Sequence, residues 1–187
     1  MRQDFYDIVF EQSSDFVIGA SYECCQFTGL DLSAIPLKQS RFIDCSFTEC
    51  NLSNTSLVEA QFQGVQFNNC KLLGLHFEYA NPFGFAVQFV HCFLKHASFY
   101  QMNLQNSSFL NCELEGVDFT EIKAVGTSFE RSNLLGAIFE KSDLRKANLN
   151  GVQHLSIDPE LNFVKEARIQ IAQLPGLLAK YGLHILD

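Results

Sequence analysis

The chain has 187 residues and a hydrophobic fraction of 47%, which suits one folded domain or one repeat array and excludes a disordered polymer. Its net charge of -8 and pI near 5.0 exclude a protein that holds a nucleic-acid backbone by bulk positive charge. No apolar run approaches the ~20 residues of a membrane span, and Asp4 and Asp7 interrupt the start before any signal-peptide core could form.

Residues 1–21 show no clean repeat. Phe5, Phe10 and Phe16 read as an N-terminal cap over whatever follows, since an open sheet end exposes unpaired strand edges. From residue 22 a large apolar residue returns every five positions: Phe27, Leu32, Leu37, Phe42, Phe47, Leu52, Leu57, Phe62, Phe67, Leu72 and Phe77. After a break the series resumes at Phe89 and runs through Leu94, Phe99, Leu104, Phe109, Leu114, Phe119, Ala124, Phe129, Leu134, Phe139 and Leu144 to Leu149. Neither the helical period of 3.6 nor the strand period of 2 produces this spacing. It needs a chain that turns a corner every five residues and sends one large side chain inward from each side.

A second register runs two residues before each centre and is small or medium, as in Cys45, Cys50, Thr55, Ala60, Val65 and Cys70. Glycine often sits two residues after a centre, as at Gly64, Gly74 and Gly116, where a corner can demand positive φ. The triplets Cys50-Asn51-Leu52, Ser132-Asn133-Leu134, Ser142-Asp143-Leu144 and Ala147-Asn148-Leu149 carry the pattern A-(D/N)-(L/F)-x-x. The chain thereby resembles the pentapeptide-repeat family. The resemblance implies an all-β solenoid: a right-handed quadrilateral β-helix with four pentads to each coil. Residues 22–151 form the solenoid, with a break at 79–86.

Twenty residues per coil should stack like on like. Leu32, Leu52, Leu72, Leu94, Leu114 and Leu134 form one face, and Phe27, Phe47, Phe67, Phe89, Phe109 and Phe129 the next. Leu37, Leu57, Phe77, Phe99, Phe119 and Phe139 form a third. At a strand spacing of roughly 4.8 Å the array spans roughly 30 Å. The break, including Asn81, Pro82, Phe83 and Gly84, adds two residues and places a proline where a ladder donor is expected. It reads as an accommodated bulge or as a protruding recognition element.

Residues 152–187 form a C-terminal capping and dimerisation segment, with helix starts at Asp158-Pro159-Glu160 and Leu174-Pro175-Gly176 and a stop at Gly182. Ile169, Ile171, Leu174, Leu177, Leu178, Tyr181, Leu183 and Ile185 are too apolar for a free tail. They are the expected interface of an end-to-end homodimer.

The odd count of seven cysteines points to reduced thiols in a cytoplasmic protein. Cys25, Cys45, Cys50, Cys70, Cys92 and Cys112 occupy inward slots; Cys24 alone leaves the register. A line of cysteines does not converge as a tetrahedral metal site requires. No metal and no cofactor are expected. There is no phosphate loop, nucleophile elbow or HExxH sequence, and a filled solenoid offers no deep pocket. No catalytic residues, and hence no enzyme activity, are expected.

Within the family, Ala80-Asn81-Pro82-Phe83-Gly84 and the tail Leu177-Leu178-Ala179-Lys180-Tyr181-Gly182-Leu183-His184-Ile185 resemble the Qnr-type quinolone-resistance and microcin B17 immunity group. That resemblance implies a rod-shaped dimer that mimics DNA and binds DNA gyrase or topoisomerase IV, protecting it from quinolone-like or peptide poisons. Its partners would include no nucleic acid and no membrane. The alternative is a protein-interaction scaffold without topoisomerase activity. On the face of Leu37, Leu57, Phe77, Phe99, Phe119 and Phe139, the flanking acids Glu59, Glu78, Asp118, Glu121 and Glu140 face only Lys38 and Lys141. This is the candidate DNA-like surface.

Overall fold

A computed structural model of the chain describes residues 2–184. The elements are short parallel strands on two neighbouring sides of a four-sided coil. Strands β1 (Asp4–Tyr6), β3 (Ser21–Glu23), β5 (Arg41–Ile43) and β7 (Gln61–Gln63) form one sheet. Strands β2 (Val9–Phe10), β4 (Gln26–Thr28), β6 (Ser46–Thr48), β8 (Val65–Asn68), β9 (Val87–Val90) and β10 (Ser108–Leu110) form the other. The other two sides, and the later coils, are joined by single parallel bridges such as Asp31↔Asn51, His76↔Ser98 and Ser128↔Asn148.

The register is the one that the five-residue period demands. Phe27 pairs with Phe47 and Phe47 with Phe67, each 20 residues apart. Across the break Phe67 pairs with Phe89, 22 residues on. Leu52 and Leu72 share a face, because Asn51 bridges Lys71. The repeat centres are buried from Phe27 to Leu149. Their rings stack coil on coil, Phe27 on Phe47 at 4.5 Å and Phe109 on Phe129 at 5.1 Å. Between adjacent sides they meet edge to face, as Phe99 meets Phe109 at 5.4 Å. Both arrangements suit the aromatic quadrupole.

The slot two residues before each centre is small for a reason the structure makes plain. It is buried against the previous coil, and where it carries a hydroxyl or thiol that group reaches a backbone carbonyl there. Thr127 Oγ1 donates to the Leu104 carbonyl at 2.7 Å and Ser142 Oγ to that of Phe119 at 2.6 Å. Cys50 Sγ donates to Phe27 and Cys70 Sγ to Phe47, both at 3.4 Å.

The corners differ from the glycine expectation. They adopt left-handed φ whatever residue stands there: Asp44 (49°), Glu59 (57°), Gln101 (59°), Glu121 (57°) and Lys141 (53°) are examples. A non-glycine residue in this region costs roughly 1–3 kcal/mol. In return most corner N–H groups join the ladder: Asp44 N donates to Gln63 O at 2.8 Å and Glu121 N to Glu140 O at 2.8 Å.

The ladder also passes both boundaries drawn from the sequence. Residues 2–21 are a first coil: Phe5 pairs with Tyr22 and Phe10 with Phe27, 17 residues apart. This coil is three residues shorter than the later ones, so its centres fall out of the five-residue series. Phe16 closes the end by stacking on Tyr22 at 5.3 Å, and Tyr22 Oη is held by both the N–H and the carbonyl of Val17. At the other end Asp143 bridges Phe163 and Asn148 bridges Arg168.

The helix start read at Asp158-Pro159-Glu160 is instead a single turn. The Asp158 carboxylate accepts the Glu160 N–H at 2.8 Å and the Asp158 carbonyl that of Leu161 at 3.2 Å. Residues 162–168 then resume the coil, which is incompatible with continued helix. The helical cap comes later. A 3-10 turn at Ile171–Gln173 leads into α1 (Leu174–Leu178), and Gly182, at φ 60°, ends it. Gln173, unnoticed in the sequence, is the plug. Its Nε2 donates to the Leu149 and Val152 carbonyls at 2.8 and 2.7 Å. Gly176 admits no side chain, since a Cβ there would lie 1.9 Å from the Leu155 carbonyl oxygen.

The break is a bulge located between Asn81 and Val87. Asn81 still bridges Gln61, but Pro82 turns outward and Phe85 enters the core in its place, only 6% exposed. Phe85 meets Phe62 at 6.3 Å and Phe77 at 6.1 Å. Phe83, by contrast, is 75% exposed. Phe85→Ala should therefore lower stability by about 3–5 kcal/mol. Phe83→Ala should stay within about 0.5 kcal/mol of wild type. Urea denaturation of the two variants checks both.

Candidate interaction surfaces

The inward slots leave function to the outside of the coil. The five carboxylates expected to form a DNA-like surface flank centres of one side of the coil and stand in different surroundings. Glu59 is exposed at a corner and accepts Gln39 Nε2 at 3.1 Å. Glu121 occupies an equivalent corner, accepting Gln101 Nε2 at 2.8 Å and facing Lys141 Nζ at 3.9 Å. Asp118 is half-buried and accepts the Thr120 N–H at 2.8 Å. Glu140 is exposed. Glu78 is drawn inward: its Oε1 meets His76 Nδ1 at 2.9 Å, and its Oε2 is buried without a partner. The coil of Phe99 contributes no carboxylate to this side, where Ser98, Tyr100 and Gln101 stand.

The charge is also graded along the chain. Residues 1–121 hold 14 acids and 5 bases, whereas residues 122–187 hold 7 acids and 8 bases. The acidic character thus belongs to the N-terminal two-thirds. On the Leu side, Lys95 pairs with Glu115, and Asn133 donates to Glu113 at 2.8 Å. The hydrogen bond from Arg145 lowers the Asp143 carboxyl below its ordinary value.

At the C-terminal end, Ile171, Leu174, Leu178, Tyr181 and Leu183 are exposed, while Ile169 and Leu177 turn onto the core. Ile185 lies outside the described residues. Leu161 and Phe163 are exposed as well, on the last coil. They escaped notice because the expected helix at 158 hid their place in a coil. Lys180 ties the cap down, reaching Asp158 at 2.7 Å and Glu160 at 2.5 Å. At the break, Asn81 Oδ1 accepts the Phe83 N–H at 2.9 Å and so shapes the bulge that lifts Phe83. Gly84 turns the chain back inward at φ 67°.

Among the described residues no three His, Cys, Asp or Glu side chains converge on a metal position. No described helix is long and apolar enough to cross a membrane. His76, His91 and His96 are all exposed.

The repeat description "Pentapeptide repeat region" matches residues 20–82, and "Pentapeptide repeats (8 copies)" matches residues 86–120 and 112–151. The chain belongs to the pentapeptide-repeat family. Among solved structures, a trypsin-treated form of QnrB1, a plasmid-mediated fluoroquinolone resistance protein, is 18% identical, with both chains covered in full and a TM-score of 0.47. Full-length QnrB1 is 20% identical over 96% of this chain and 100% of that one, with a TM-score of 0.37. HetL, a pentapeptide repeat protein involved in heterocyst differentiation regulation from the cyanobacterium Nostoc sp. strain PCC 7120, is 15% identical. It covers 89% of this chain and 86% of its own, with a TM-score of 0.28. No curated protein sequence matches at a significant level.

The thiols divide by position. Burial pushes Cys45 and Cys112 up to about 12. Cys70 is held upward by its contacts with Cys50 and Cys92 and by burial. Cys24 is half-buried; slight desolvation and the carboxylates of Glu23, Asp44 and Asp7 raise its thiol above the ordinary value. Because the thiolate is the reactive form, Cys24 should be the one group that a thiol reagent labels in the native protein. Its rate should trail that of free cysteine at pH 8 and rise with pH. The remaining six should react only after denaturation. Mass mapping of the labelled cysteines against pH checks this.

Proposed function

We propose that this pentapeptide-repeat protein is a non-enzymatic DNA mimic. In this reading it occupies the DNA-binding surface of a type II topoisomerase, DNA gyrase or topoisomerase IV, and protects it from quinolone-like or peptide poisons. The observation that carries the reading is the concentration of carboxylates on the outside of a rod. Coils repeat at roughly 4.8 Å, and one side holds Glu59, Glu78, Asp118, Glu121 and Glu140. The excess of 14 acids over 5 bases in residues 1–121 extends the negative field around the same part of the rod. A basic DNA-binding groove would meet this field as it meets phosphates, and the attraction would be screened by salt. The resemblance of the break and tail to the Qnr-type group supports the choice of topoisomerase.

The apolar C-terminal end supports a homodimer in which two caps meet end to end and bury Ile171, Leu174, Leu178, Tyr181 and Leu183. Such a closed two-fold contact would double the length of the rod. Full-length protein should then sediment as a dimer at micromolar concentration, and Ile171→Asp with Leu174→Asp should sediment as a monomer. A wild-type monomer would rule the contact out.

Changing Glu59, Glu121 and Glu140, the three more open carboxylates of this side, to Lys should abolish gyrase binding. Exposed charges add little to stability, so circular dichroism should show the solenoid intact. Wild-type binding should weaken about tenfold or more as salt rises from 50 to 200 mM, in the manner of phosphate recognition. A wild-type protein that neither binds gyrase at low salt nor changes supercoiling with quinolone present would leave the scaffold reading in its place.

A further inference from the structure

A groove of about 730 Å³ runs along the corner beside the break. Its charge is opposite to that of the protein around it. Arg2 and Arg41 line it, against the single carboxylate of Glu59. Arg41 is half-buried at the start of β5. Its Nε is shut off from solvent and has no acceptor, so its open Nη groups, which make no ion pair among the described residues, are the donors a ligand can meet. A guanidinium stays charged at any ordinary pH, and an unpaired one favours an anionic acceptor. Arg2 is fixed over the same groove: its Nε donates to the Gly19 carbonyl at 3.0 Å and its Nη2 to that of Gln39 at 2.5 Å. Gln61 and Asn81, bridged through their backbones, continue the wall.

The same groove is lined by two flat apolar surfaces, Pro82 and the ring of Tyr79, which is 59% exposed. The groove therefore combines a planar oxyanion acceptor site with room for an organic body, and its volume is typical of small-molecule sites. We propose that it binds a small molecule carrying a phosphate or carboxylate on a flat ring. The Arg41 guanidinium holds the oxyanion, Arg2 completes the positive field, and Tyr79 and Pro82 flank the ring. This site is independent of topoisomerase binding. It gives the break a role that neither bulge geometry nor the acidic side requires.

The test follows the Arg41 Nε–Hε resonance of the full chain by NMR during titration with adenosine 5′-monophosphate, benzoate and adenosine. At least one of the two oxyanions should shift this resonance saturably at about millimolar concentration or below, and adenosine should bind about tenfold more weakly or not at all. Whichever oxyanion binds identifies the group as phosphate or carboxylate. Arg41→Gln should weaken binding about tenfold, and Arg41→Lys, which keeps the charge but loses the planar fork, should fall between. Glu59→Gln removes the repelling carboxylate and should tighten binding about threefold, a gain that a purely structural role would not produce. The proposal is overturned if neither oxyanion shifts Arg41, if adenosine binds as well as its phosphate, or if Glu59→Gln leaves the affinity unchanged.

Discussion

Everything in this molecule depends on one constraint: consecutive coils must stay in parallel register at the strand spacing of roughly 4.8 Å. That spacing exceeds the thickness of an aromatic ring by little, so a Phe above a Phe fills the interior. Stacks such as Phe77 on Phe99 at 4.6 Å and Phe119 on Phe139 at 5.0 Å show the match. The same spacing lets a short side chain two residues before a centre reach a carbonyl of the previous coil. It also places most corner N–H groups opposite a carbonyl. Left-handed strain at Asp44, Glu59, Glu121 and other corners is tolerated because leaving the ladder would strand those groups without partners.

This constraint separates inside from outside completely. The interior slots take Phe, Leu, Cys, Ala and Ser, and their side chains are spent on packing or on carbonyls. Only the two positions flanking each centre, and the corner, remain to be chosen by function. A carboxylate at any of them is repeated in space at coil intervals. This is how a protein can present evenly spaced negative charge over a length comparable to a turn of duplex. The uneven distribution of acids between residues 1–121 and 122–187 then means that the two ends of the rod differ. One is acidic, and the other presents an apolar cap tied down by Lys180.

The repeat made most of the fold legible in the sequence, because a five-residue period has few structural solutions. Centres, inward cysteines and the stacking of like residues all followed from it. Three features did not. The first coil is three residues short, so Phe5 and Phe10 fall outside the period although they pair with Tyr22 and Phe27. Asp158-Pro159-Glu160 has the local chemistry of a helix start, but the coil at Phe163 and Arg168 outcompetes it. The exchange of Pro82 for Phe85 inside the bulge depends on which of two aromatic residues fits, and spacing alone does not decide that. Among surface residues, the acids could be assigned to a side from the period. The inward turn of Glu78, and the unmatched Arg41 across the corner, depend on side-chain packing between coils.

The central functional claim is that the rod takes the place of DNA, and displacement tests it most directly. Labelled linear duplex bound to gyrase, titrated with the protein at low salt, should be released competitively, with no complex containing all three components. A stable ternary complex of protein, gyrase and duplex, or undiminished duplex binding at saturating protein, would contradict the account.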